Sequence, residues 1–112
     1  MTHISCGQVG EGFYIEAAVH SGFGEKGRDV VCAGVSTLIF TAYYYLQRKQ
    51  SEGYIDKLEK RETDGLVSIY VRCAEGERTI LKTAYEMALT GFEMLAENFP
   101  QCVTITVKEK KE

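Results

Sequence analysis

The sequence predicts an α+β two-layer sandwich, with two helices packed on one face of a small, mostly antiparallel sheet. Short segments alternate apolar and polar residues, two longer ones repeat apolar residues at helical spacing, and they follow in the order ββαββαβ. At 112 residues the chain is expected to form a single domain, 1–112, large enough to bury a core without disulfides or a structural metal.

Each element has its own signal. MTHISC, residues 1–6, reads as a short first strand, and GFYIEAAV, residues 12–19, as a half-buried second one with Phe13, Ile15, Ala17 and Val19 on one parity. From Val30 to about Lys49, Val31, Val35, Leu38, Ile39, Ala42 and Leu46 recur at helical spacing, with Asp29 as a suitable N-cap. YIDKLEKRE and LVSIYVR follow as two strands, joined at Thr63-Asp64-Gly65, where Asp-Gly accepts the positive φ of a hairpin turn. A second helix is expected from Arg78 to Asn98, with Ile80, Ala84, Met87, Ala88, Gly91 and Leu95 as its stripe, stopping before Pro100. CVTITVK closes the chain as a strand with Val103, Ile105 and Val107 inward.

Three consecutive tyrosines, Tyr43 to Tyr45, sweep ~200° of a helix and cannot all face one core. At least one therefore looks elsewhere, either lying over the helix edge with its hydroxyl in water or meeting a subunit or substrate.

Composition excludes several classes. With 45% hydrophobic and 26% charged residues the chain is that of a globular protein rather than a disordered one, apart from the charged KEKKE end. A net charge of −3 and a pI near 5.4 argue against direct nucleic-acid binding, which needs a basic surface for phosphates. The longest apolar run, VSTLIFTAYYYL, falls short of the roughly 20 residues of a membrane span, so no membrane partner is expected. The N-terminal MTHISCGQVGEG has neither the basic start nor the apolar stretch of a secretory signal, which makes a cytoplasmic location the default. Cys6, Cys32, Cys73 and Cys102 include no CxxC pair, so neither a zinc site nor a disulfide framework is indicated.

The segment with chemistry in it is AVHSGFGEKGRDVVCAGVSTL, residues 17–37. His20 is expected to end a strand, and Cys32 to fall in the first turn of a helix three residues after Asp29. The free N–H groups of a helix start favour a thiolate over a thiol, and an imidazolium nearby adds to this. The loop between them carries Gly22, Phe23, Gly24 and Gly27, and its glycines allow it to fold back and bring imidazole towards sulfur. Ser36 stands at i+4 from Cys32, on the same helix face. Asp29 serves either as the helix cap or as the carboxylate that orients His20. Backbone N–H groups from Val31 to Ala33 are candidates for an oxyanion hole. Against all this stands a plain alternative, because a lone Cys and His at this distance are commonly structural. His3, Cys6, Cys73 and Cys102 are assigned to that structural class.

At VHSGFGEKGRDVVCAGVS the chain resembles the ribosomal-processing cysteine protease (Prp) family of bacteria, in which a histidine, a glycine-rich loop, a basic residue, Asp, two aliphatics, Cys, small residues and Ser follow one another. The likeness extends through the TDGL hairpin to TGFEMLAENFPQCVTI, whereas Val19 and Ser21 depart from the glycine and alanine that usually flank the histidine. The resemblance implies a cysteine endopeptidase with His20 and Cys32 as its dyad, Asp29 and Ser36 in supporting positions, and the loop with Gly22, Phe23, Gly24 and Gly27 over the substrate. It further implies removal of the N-terminal extension of precursor large-subunit ribosomal protein twenty-seven, at an apolar cleavage motif, by a homodimer. No metal or other cofactor is needed for such chemistry. A noncatalytic ribosome-associated or peptide-binding module on the same scaffold is the competing reading, prompted by the altered flanks of His20.

Overall fold

The computed structural model describes residues 2–18 and 26–108, the side chains of residues 26–29 excepted. Its elements are β1 (Thr2–Val9), β2 (Gly12–Ala18), α1 (Lys26–Ser51), β3 (Ile55–Thr63), β4 (Leu66–Cys73), α2 (Arg78–Asn98) and β5 (Val103–Val107). This is the expected ββαββαβ order in the α+β class. The sheet runs β3-β4-β2-β1-β5, antiparallel throughout except where β5 lies parallel to β1.

The Asp64-Gly65 turn sets the β3–β4 register, with φ of 53° and 78° at its two central residues. Both values are positive, as a two-residue turn matching the right-handed twist of its strands requires, and Thr63 then faces Leu66 across the ladder. That register places Val67, Ile69, Val71 and Cys73 on one face. Phe13, Ile15 and Ala17 of β2, Ile4 and Cys6 of β1, and Val103 of β5 share it, and all are buried. The helices cover this face. Val31, Val35, Ile39 and Leu46 of α1 and Leu81, Tyr85 and Phe92 of α2 complete the core, with the Phe13 and Tyr85 rings 5.1 Å apart.

Several expectations change, among them Val107, expected inward on the last strand but 42% exposed. β1 is longer than MTHISC and pairs with β2 as far as Val9↔Gly12, the hairpin turning at Gly10 with φ of 56°. On α2 the buried spine is Leu81, Tyr85, Ala88 and Phe92, while Met87 is 77% exposed. The inward stripe is thus rotated towards the residues one position beyond Ile80, Ala84 and Gly91, because Tyr85 and Phe92 bury far more area than alanine and glycine. Finally, the stretch Val30–Ser51 is long and apolar enough to cross a membrane, contrary to the length argument. Val31, Val35, Ile39 and Leu46 of this stretch pack into the core instead, while 22% of the apolar segment is buried.

α1 begins at Lys26, earlier than Asp29 as cap would allow. A glycine in the first turn of a helix interrupts few intrahelical bonds, since the first four N–H groups lack partners anyway, and so Gly27 reads as loop in the sequence yet is accommodated as helix. An acidic residue in that turn is still favourable beside the positive helix end.

Candidate active site

α1 presents two flanks. One faces α2: a Cβ added to Gly91 would lie 2.7 Å from Leu38 Cδ2, and one added to Gly34 would lie 3.2 Å from Leu95 Cδ2. These two glycines let the helices approach each other. The opposite flank carries Cys32, Ser36, Phe40 and Tyr43, which at about 100° per residue fall within one quadrant of the helix. All four are partly buried, and this side of α1 faces the edge strand β3.

The two sequence-predicted residues with described side chains, Cys32 and Ser36, thus lie together, one turn apart. Gly27 and Asp29 lie in the first turn of α1 rather than in a loop and at a cap, and the side chain of Asp29 is outside the described residues. His20, Gly22, Phe23 and Gly24 also lie outside them.

The earlier helix start moves Cys32 out of the first turn, six residues beyond Lys26. In a continuous α-helix the N–H groups of Val31, Cys32 and Ala33 donate to the carbonyls of Gly27, Arg28 and Asp29, so they are not the oxyanion donors expected from sequence. The field of a helix end falls off within its first turn, and Cys32 stands beyond that turn.

The remaining cysteines contrast with Cys32. Cys6 and Cys73 are 1% and 6% exposed, and burial pushes both thiols up from their ordinary range. At Cys6 the Tyr85 hydroxyl offsets this in part. At Cys73 the nearby Glu11 carboxylate adds to it, its Oε2 accepting from the thiol at 3.7 Å. Cys102 caps the approach to β5 and is reached by Thr2, whose N–H donates to its carbonyl at 2.7 Å. All four cysteines are free thiols. His3 lies in β1 on the helix-free face, its ring nitrogens bonded to the hydroxyls of Thr104 at 2.7 Å and Thr106 at 3.0 Å.

Sequence reasoning did not anticipate the continuation of the Cys32 flank. Lys60 of β3 sets its Nζ 4.8 Å from the centre of the Tyr43 ring and 5.6 Å from that of Phe40. Gln47 Nε2 donates to the Tyr43 hydroxyl at 3.1 Å. The signal was present: residues 32, 36, 40 and 43 follow helical spacing away from the cysteine. Of the three tyrosines Tyr43 joins this flank, while Tyr44 is 62% exposed.

Among the described residues, hollows lie elsewhere. One of about 380 Å³, between the β1–β2 turn and the start of α2, is lined by Gln8, Glu11, Phe13, Arg78, Lys82 and Tyr85 among others. Another, about 470 Å³ and mainly apolar, follows the α1–α2 seam past Ala33, Gly34, Leu38, Gly91 and Met94.

A two-layer α+β domain with a partly exposed thiol on the flank of its first helix, beside an open strand edge, has the layout of a small thiol enzyme. The chain belongs to the family described as Cysteine protease Prp, whose model matches residues 1–104, and this makes it a cysteine protease. It is similar over 98% of its length to SMU.848 from Streptococcus mutans, covering 96% of that chain at 26% identity and a TM-score of 0.72. The essential ribosomal processing protease Prp from S. aureus, solved in complex with a substrate peptide, shares the fold at a TM-score of 0.74 and 16% identity, over 96% of this chain and 100% of that one. The same protein with a covalently linked product peptide aligns over the same shares, at a TM-score of 0.70 and 18% identity. No protein of curated function matches the chain in sequence.

Proposed function

We propose that the chain is a cysteine endopeptidase that removes the N-terminal extension of large-subunit ribosomal protein twenty-seven, with Cys32 as nucleophile and His20 as general acid and base. The observation that carries this reading is the position of Cys32 beside Ser36 on the open flank of α1, while Cys6 and Cys73 are sealed in the core. Family membership supplies the reaction class.

His20 takes the Cys32 proton, and the thiolate attacks the scissile carbonyl carbon to form a tetrahedral adduct. The C–N bond then breaks, the imidazolium proton goes to the departing amine, and a thioester is left on Cys32. Water, losing a proton to His20, attacks the thioester; the C–S bond breaks and the acid product leaves with the thiol restored. Because the helix end contributes little at Cys32, the burden of activation falls on the imidazole, with Asp29 as a positioning carboxylate one turn before the cysteine and Ser36 as a hydroxyl one turn after it. The loop with Gly22, Phe23 and Gly24, which leads into Gly27 in the first turn of α1, closes over the bound peptide.

The family likeness also supports a cytoplasmic homodimer. Met87 and Met94, 77% and 58% exposed on the outer surface of the helical layer, are apolar area that such an interface would bury.

A noncatalytic peptide-binding module is the second reading, prompted by the unusual neighbours Val19 and Ser21 of the histidine. One experiment separates the readings: a peptide carrying the ribosomal extension is incubated with wild type, Cys32→Ala and His20→Ala, and products are followed by mass. The proteolytic reading predicts cleavage by wild type alone. Cleavage that survives Cys32→Ala would sink the dyad, and binding without cleavage by every form would establish the module.

A further inference from the structure

Among the described residues Lys60 is a cation that reaches onto the flank of α1 that carries Cys32, Ser36, Phe40 and Tyr43. Its ammonium lies over the rings of Phe40 and Tyr43, within cation–π distance of both. Among the described residues no carboxylate pairs with it: Glu59 on the same strand is 3.8 Å from Lys57, and Asp56 is taken by Arg72 at 2.7 Å. The Tyr43 hydroxyl, a potential local acceptor, already accepts a hydrogen bond from Gln47 Nε2. Lys60 thus stands exposed over two rings on this flank, with no carboxylate partner among the described residues.

The spacing gives the ligand. Phe40 is eight residues beyond Cys32 on a continuous helix, about 12 Å along its axis at 1.5 Å per residue. An extended peptide advances ~3.3 Å per residue, so that distance corresponds to about four substrate residues. On the α2 side the apolar hollow past Ala33, Gly34, Leu38 and Gly91 is lined by no cation among the described residues, whereas Lys60 stands on the β3 side. On the β3 side the strand has a neighbour, β4, on one edge only.

Resting on the reading of Cys32 as nucleophile, we infer that Lys60 is a specificity-determining residue that takes an acidic side chain of the peptide about four residues from the attacked carbonyl. Phe40 and Tyr43 form the shelf that holds the ammonium there. A neutral or basic side chain at that position leaves the lysine unpaired or repelled, and the peptide is discriminated against.

The test is a peptide panel with Glu, Gln or Lys placed in turn at the third to fifth positions on either side of the scissile bond. Cleavage is measured for wild type, Lys60→Met, Lys60→Arg and Lys60→Glu, and binding of the same panel is measured with Cys32→Ala alone and combined with each change at Lys60. At one position wild type should prefer Glu to Gln by roughly three- to fivefold in kcat/KM, the scale of a partly exposed ion pair. Arginine should keep the preference, methionine should erase it, and glutamate should reverse it in favour of the Lys peptide. Because the quantity read is a ratio between peptides, a lower folded fraction in a variant does not alter it. The same ranking in all forms, by cleavage or by binding, would overturn the inference. If wild type cleaves nothing while binding still shows a Glu preference that follows Lys60, the nucleophile assignment fails and the subsite stands.

Discussion

The two flanks of α1 are built from the same helix and do opposite work. Towards α2, Gly34 and Gly91 have given up side chains so that Leu38 and Leu95 can pack against bare backbone. Towards β3, Cys32, Ser36, Phe40 and Tyr43 keep functional or aromatic side chains, all of them only partly buried. The first arrangement draws the helices together beside an apolar hollow, and the second leaves a thiol, a hydroxyl and two rings partly exposed. Substitutions on the closed side and the buried face should therefore cost stability, and those on the open side should cost chemistry.

The largest expected effect breaks the open flank: Cys32→Ala should lower cleavage by about a thousandfold or more while leaving the thermal midpoint near that of wild type. Next, Ile39→Ala, at a fully buried position between the flanks, should lower unfolding free energy by about 2–5 kcal/mol in a denaturant titration. Peptide cleavage per folded molecule should persist. Gly91→Val, which drives a branched side chain into Leu38, should cost about 1–3 kcal/mol by the same measurement.

A smaller effect concerns pH. Burial raises the Cys6 thiol above its ordinary 9.0, so above that pH the unfolded chain has lost a proton that the folded chain retains. The associated stability is fully present below the unfolded value and is lost as pH rises through the higher folded one. Urea midpoints should accordingly decline from pH 9 upward, and Cys6→Ala should flatten that part of the decline, leaving the share due to Cys73.

The contrast between the flanks also marks what could be read from sequence. Strand pairs and α2 were legible because alternation, Asp64-Gly65 and Pro100 are local signals that tertiary packing does not override. The parallel placement of β5 beside β1 was not, since nothing in CVTITVK distinguishes one edge of the sheet from the other. The start of α1 was misplaced because Lys26, Gly27 and Arg28 carry no apolar periodicity, and glycine between charges has the composition of a loop. Cys32 and Ser36 stood out by residue type at i and i+4. Lys60 did not, because its relation to Phe40 and Tyr43 crosses from strand to helix and exists only once β3 has folded back along α1.

The identity of the nucleophile is tested most directly by a covalent trap. A peptide ending in a chloromethyl ketone, with the sequence that precedes the cleavage point of the ribosomal extension, is incubated with wild type and His20→Ala, and the adduct is located by intact mass and proteolytic mapping. The account predicts one adduct per chain, on Cys32, formed more slowly in His20→Ala. An adduct on Cys102 or another residue at the same rate, or none on Cys32 while the peptide binds, would contradict it.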